Sequence, residues 1–272
     1  MADDPETEKN PNSISELAKT LVYALLLAGV IRTVFFQPFW IPTGSMKDTL
    51  LVGDFLFVNK MAYGYSWASC PTIRGINFCG FAKDVDGRLF GGEPQRGDVI
   101  VFKHPSTQED YIKRLIGLPG DRVQMKDGRL YINDEAVGVE SNGLFTEISG
   151  PQGPVGGWPS CENDARELGD ACTKSKSTET LPGGVKHDIL NIASGLPGDD
   201  TAVFTVPAER YFFMGDNRDN SLDSRFRAPR GVGYVAIDNI VGRADRIVFS
   251  SAGRSILAFW TWRSDRYFKA IN

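Results

Sequence analysis

Tyr111-Ile112-Lys113-Arg114-Leu115-Ile116-Gly117-Leu118-Pro119-Gly120-Asp121 reads as one strand running into one turn. The body is rich in aromatic and β-branched residues, which suit a pleated surface. The end has Pro at i+1 and Gly at i+2, the composition of a type II turn. Alternation puts Tyr111, Lys113 and Leu115 on one face, and Ile112, Arg114 and Ile116 on the other. A lysine inside so apolar a strand is the first feature that asks for an explanation.

The same signals recur on either side. Asp98 to Lys103 reads as a strand, and Arg122 to Met125 with Leu130 to Ile132 flank Asp127-Gly128 as a tight hairpin. Phe55 to Asn59, Thr201 to Val206, Tyr211 to Met214, Gly233 to Ile237 and Ile240 to Ser250 add further strands. Helix-periodic segments are scarce after residue 40, so the fold class is mostly β. Residues 61–95 read as an extended ribbon without period, and residues 138–200 as an insertion of loops and short strands.

The 272 residues carry 30 basic and 34 acidic side chains, a formal charge of −4 with both signs mixed. That balance argues against nucleic acid as a partner. Residues 1–15 are polar and read as a disordered tail. From Thr20 to Ile31 the chain is uncharged and mostly apolar. A cleaved signal peptide would begin basic, whereas this start is acidic at Asp3, Asp4, Glu6 and Glu8. A buried helix is a second reading. The preferred one is a single transmembrane anchor over residues 16–36. Arg32 would then snorkel to one boundary, and Phe35, Phe36, Phe39 and Trp40 would form an interfacial belt.

The four cysteines, Cys70, Cys79, Cys161 and Cys172, lie in two local pairs whose spacing matches no usual zinc site. Downstream of an anchor, they point to disulfides in an oxidising compartment. Of three connectivities, loop shortness favours Cys70–Cys79 with Cys161–Cys172. The tail from residue 251 is aromatic and basic, as suits either a terminal core element or contact with a membrane surface.

Pro42-Thr43-Gly44-Ser45-Met46 places a serine in a turn, where Gly44 permits an unusual backbone angle. The Ser45 N–H and the Thr43 hydroxyl are candidates for an oxyanion hole. A serine nucleophile needs a base. His104 and His187 both read as surface residues with no orienting acid. Lys113 is the better candidate, because burial disfavours the ammonium form and leaves an amine able to take a proton. The plain alternative is an edge-strand lysine with its head in water. A third segment, Tyr211 through Arg225, runs from a strand into a polar loop of acids interleaved with Arg218 and Arg225. That composition favours a fixed hydrogen-bond network over a metal cage.

Taken in order, these segments resemble the bacterial type I signal peptidases. The likeness runs from Arg32 to Ser250 through Pro42–Met46, Thr49–Asp54, Arg96–Phe102, Tyr111–Asp121 and Gly215–Arg225. It implies Ser45 as acylating nucleophile, Lys113 as general base and Thr43 as oxyanion donor. It implies that Ser221 orients the lysine amine, that Asp223 and Arg225 pair near the site, and that Gly215 and Asp216 support it. Phe39, Ile41, Met46, Leu56, Tyr111 and Ile112 would line shallow pockets for small substrate side chains. The implied fold is an antiparallel catalytic sheet (37–125 and 205–250) with an extended hairpin, an inserted β domain (126–204) and a C-terminal segment (251–272). The implied partners are signal peptides of exported preproteins and a lipid bilayer, with no metal and no cofactor. The implied place is the bacterial inner membrane, crossed once, with the catalytic domain outside the cytoplasm. The competing reading is an inactive, tethered signal-peptide-binding or assembly protein. Asp48 departs from the family pattern, which usually has proline there.

Overall fold

The structure is a computed structural model that describes residues 12–70, 72–73, 76–77, 79, 87–153, 155–253 and 258–271. In chain order these form helix α1 (Asn12–Val34), then strands β1 (Phe36–Trp40), β2 (Asp54–Asn59), β3 (Thr72–Ile73), β4 (Ile76–Asn77), β5 (Val99–Lys103), β6 (Asp110–Gly117), β7 (Arg122–Lys126) and β8 (Arg129–Ile132). There follow β9 (Glu135–Ala136), β10 (Gly138–Ile148), β11 (Ala171–Thr180), β12 (Lys186–Asn191), β13 (Phe204–Thr205), β14 (Arg210–Met214), β15 (Val235–Ala236) and β16 (Ile240–Ser250).

A seven-stranded antiparallel sheet in the order β1-β2-β16-β5-β6-β14-β15 forms the main body. Its strand β5 is apolar from Val99 to Phe102 and buried along its whole length. Ile41, Met46, Leu56, Val99 and Val101 pack on one side, and Ile100, Phe102, Leu115 and Phe213 share a second cluster. The β7–β8 hairpin turns at Asp127 and Gly128, both with positive φ (47° and 72°). Paired positive φ at the two central residues is what a type I′ turn demands. With β9 and β13 this hairpin makes a four-stranded sheet, and β10-β11-β12 make a three-stranded one.

The outer regions differ from expectation. The anticipated anchor over 16–36 is a helix that begins at Asn12 and ends at Val34, so residues 12–15 leave the expected tail and Phe36 leaves the helix. Residues 1–11 lie outside the described set. Phe36, Phe39 and Trp40 join an edge strand, with Phe36 opposite Asn59 and Phe39 opposite Leu56. Pro38 fits there because an edge strand tolerates a missing N–H. Among the described residues no helix is long and apolar enough to cross a membrane. The described side chains of α1 are nonetheless exposed, Leu17, Leu21, Val22, Leu25 and Leu26 among them.

Much of the expected ribbon at 61–95 falls outside the described residues; β3 and β4 form a short hairpin within it. Both favoured disulfides are present, Cys70–Cys79 and Cys161–Cys172. The region read as loops and short strands contains two long ones, β10 of 11 residues and β11 of 10. Hydrophobic alternation gave no sign of them because β11 turns charged side chains inward: Lys174 and Glu179 are buried. The C-terminal segment is pinned by Arg266, whose guanidinium donates to Asp54 at 2.9 and 2.6 Å and to the Thr49 carbonyl. Phe259 and Trp260 remain exposed.

Candidate active site

Strand β14 pairs with β6 only as far as Met214 opposite Arg114. One step further along β6, Lys113 therefore faces the loop that follows β14 instead of a strand. Its amine donates to Ser45 Oγ at 2.6 Å and to its neighbour's carbonyl, Ile112 O, at 3.0 Å. Lys113 is buried, and burial lowers its pKa to about 8 against the opposing pull of Asp223 and Asp216. Each carboxylate already has an arginine. Arg114 grips Asp216 through two bonds of 2.8 Å, and Arg225 grips Asp223 through two of 2.9 Å. Burial works against ionising both acids, yet their arginines outweigh it and hold them below the usual carboxylate range. With the acids so occupied, desolvation decides the state of the lysine.

Ser45 is half-buried in a turn held from the loop side. The Asn217 N–H donates to Ser45 O at 3.1 Å, and Asn217 Nδ2 donates to Gly44 O at 2.9 Å. Asn217 belongs to a segment that sequence reasoning singled out, but its positioning of the turn was not foreseen. Among the described residues, neither the Ser45 N–H nor the Thr43 hydroxyl meets an acceptor. Both donors stay open to an incoming oxygen. Gly215 is needed for close approach: a Cβ there would lie 2.3 Å from Ser221 Oγ and 2.6 Å from Ser45 O. Gly44 does not take the left-handed angle that its glycine suggested. What it provides is room, since a Cβ would stand 3.1 Å from Cε of Lys47.

Several expected partners sit differently. Ser221 does not hydrogen-bond the Lys113 amine; its buried hydroxyl lies beside Asp223 and makes no bond of ordinary geometry. Asp216 pairs with Arg114 and accepts from Thr49, beside the separate Asp223–Arg225 pair. His104 and His187 are both buried, not surface residues. His104 contacts the Gly231 carbonyl, and His187 sits 3.3 Å from Glu179 and 4.0 Å from Asp216.

A groove of about 930 Å³ runs past Ser45 and Lys113. Phe39, Ile41, Tyr111 and Ile112 are among its lining residues. Met46 and Leu56 are not, because both are buried in the core beneath the sheet. Leu196, Pro197 and Phe226 add apolar wall from loops whose sequence carried no pocket signal. Among the described residues no cluster of three or more His, Cys, Asp or Glu is placed to hold a metal ion.

The family model for signal peptidase, peptidase S26, matches residues 14–249. The chain belongs to this family. It is 38% identical over 258 residues to signal peptidase I of Rickettsia canadensis, spanning 92% of this chain and 85% of that protein. It is 36% identical over 253 residues to signal peptidase I of Rickettsia typhi, spanning 90% and 84%. A crystal structure of a signal peptidase I from Enterococcus faecalis is 27% identical and covers 56% of this chain and 97% of that one, with a TM-score of 0.29. That superposition is too loose to bear on the fold, which rests on the strand pairing above. Within this peptidase, the serine turn, the lysine strand and the 215–225 loop come from separate parts of the sheet and meet at one end of the groove.

Proposed function

We propose that this signal peptidase removes signal peptides from exported proteins through an acyl-enzyme on Ser45, with the Lys113 amine as general base. The enzyme class follows from family membership; the residue roles rest on the 2.6 Å contact between Lys113 Nζ and Ser45 Oγ in a desolvated setting. The substrate lies extended in the groove with its scissile carbonyl over Ser45. Oγ attacks the carbonyl carbon while Nζ takes the hydroxyl proton. The oxyanion that forms is met by the Ser45 N–H and the Thr43 hydroxyl, where preorganised donors lower the barrier most. Nζ passes its proton to the departing amine, and the peptide bond breaks. Water then attacks the ester carbonyl, giving a proton to Nζ; the acyl–Oγ bond breaks, Nζ returns that proton to Oγ, and the signal peptide leaves with a free carboxyl end. Phe39, Ile41, Tyr111 and Ile112 supply the apolar wall that favours small residues before the cut.

The place of action is the bacterial inner membrane. Helix α1 anchors the chain there with the sheet outside the cytoplasm, a reading supported by apolar side chains exposed along its length. The test of the chemistry is cleavage of a fluorogenic peptide carrying alanine before the cut, by the full chain in detergent. The expected result is a rate that rises as pH passes about 8, where the amine becomes neutral, and no turnover by Ser45→Ala. Turnover by Ser45→Ala would overturn the mechanism.

A further inference from the structure

The reaction described so far leaves three buried or half-buried lysines beside the serine turn without a role. Lys47 follows Ser45 by two residues, and its stem folds back against Gly44, the residue before the serine. Its amine donates to Glu147 Oε2 at 2.5 Å and to Gln152 Oε1 at 2.8 Å. Glu147 stands on β10 and accepts a second amine, Lys174 of β11, at 2.8 Å. Gln152 completes the set by donating Nε2 to the same carboxylate at 2.7 Å. One residue further along the turn, Asp48 accepts from Lys176 of β11 at 2.5 Å, and Lys176 also meets Asp188 of β12 at 2.8 Å.

The insertion holds the other wall of the site as well. The Leu190 N–H of β12 donates to Asp216 O at 2.9 Å, and Arg218 forms a two-pronged pair with Glu179 of β11. Asn217, between those two points, is the residue that bonds Gly44 O and Ser45 O. Both segments that fix the serine are thus gripped by the same three strands, and every grip involves a charge or a backbone bond. Asp48, which departs from the usual family residue, is one of the contacts.

We propose that Glu147, acting through Lys47, and Asp48, acting through Lys176, are positioning residues by which the inserted β10–β12 sheet sets the Ser45 hydroxyl against the Lys113 amine. This rests on the reading of Ser45 as nucleophile. Reaction geometry is strict enough that a displacement near 1 Å costs about a hundredfold in rate. A loosened turn shows in kcat, because the apolar groove that binds the peptide is built mostly from other segments.

Burial lowers the Lys47 pKa to about 8 against the pull of Glu147, with Lys174 and Arg263 adding repulsion. Glu147 stays ionised, since its lysines outweigh its own burial.

The experiment is steady-state kinetics on a short soluble peptide with the full chain in detergent, alongside thermal unfolding of each variant. Glu147→Gln is expected to lower kcat by about tenfold to a hundredfold with KM within about twofold. Asp48→Asn is expected to lower kcat by about threefold to tenfold, again with KM held. Lys47→Met removes the amine that Glu147 and Gln152 hold and is expected to lower kcat by about tenfold, with KM within about twofold. A folded Glu147→Gln enzyme with kcat within about twofold of wild type would overturn the proposal, as would a loss confined to KM. If Glu147→Gln does not fold, Asp48→Asn and Lys47→Met decide alone; unchanged kcat in either folded variant overturns it. Turnover by Ser45→Ala would instead indict the nucleophile assignment and leave the clamp contacts as structure.

Discussion

Lys113 and Lys47 flank the same serine, are both buried, and meet opposite company. Lys113 leaves a strand whose neighbours are apolar, and its amine touches a hydroxyl and a peptide carbonyl. Lys47 reaches out of the turn toward the insertion and closes on a carboxylate that a second lysine shares. Burial brings both amines down to about 8, so what separates them is the group that each one touches. Burial alone does not sort the two roles. What sorts them is whether a carboxylate lies within bonding distance of the amine and what else that carboxylate already holds. Near Lys113 both acids are committed to arginines, whereas Glu147 is committed to two lysines and Gln152.

The comparison breaks most sharply at the base. Lys113→Arg keeps the charge and length but cannot deprotonate, so peptide cleavage is expected to fall by about a hundredfold to ten-thousandfold. Lys47→Arg, by contrast, should remain active. If both arginine variants are equally active in the peptide assay, the two lysines do not differ in kind.

The arginines that occupy the acids come next. Arg114→Met leaves Asp216 buried without its main partner, and denaturant unfolding is expected to show a loss of about 3–5 kcal/mol. A loss under about 1 kcal/mol would mean that Asp216 is protonated, and the explanation offered for the neutral Lys113 amine would fail with it.

A third measurement separates stability from catalysis. The folded Lys113 pKa lies near 8, below the 10.5 of a free lysine. Between those values the unfolded chain binds more protons than the folded one, so stability rises with pH across that window and is flat on either side. The charged amine therefore weakens the fold at and below about pH 8. Lys113→Met is expected to unfold about 3 kcal/mol harder than wild type at pH 7, a gain that fades as pH approaches 10.5. A Lys113→Met protein less stable than wild type at pH 7 would show that the charged amine gains a partner in the fold that outweighs its burial.

The smallest expected effect concerns the insertion's own staple. Removing Cys161–Cys172, which closes a loop with a sequence separation of 11, should cost about 2–3 kcal/mol. With the clamp of Glu147 and Asp48 intact, turnover at low temperature should stay within about threefold of wild type. A larger kinetic loss would mean that the disulfide, and not the ion pairs, carries the insertion's influence on the serine.

Much of the sheet was legible because its strands obey simple rules. Residues 98–103, 110–118, 122–132 and 240–250 alternate or run apolar between turn residues, and the observed strands match them to within a residue or two. Ser45 and Lys113 were legible as chemistry out of place, a serine beside a glycine in a turn and a lysine inside a strand. The pairing of the four cysteines was legible from loop length. By itself, then, the sequence determined a mostly β chain, two short disulfide loops and two residues worth joining.

Only the tertiary structure decided the rest. Strand β11 hides from pattern reading because it buries Lys174 and Glu179, charges whose partners lie in other segments, and β10 because it buries almost nothing. The family resemblance implies Met46 and Leu56 as pocket residues, yet packing places them in the core. His104 and His187 look exposed from their types alone and are buried. Local sequence constrains backbone conformation within a few residues, through sterics and alternation. Which charge meets which, and whether an apolar side chain faces a groove or a core, depends on contacts between residues a hundred or more positions apart. Lys47 with Glu147 and Asp48 with Lys176 are contacts of that kind, and only the folded chain brings them to the serine.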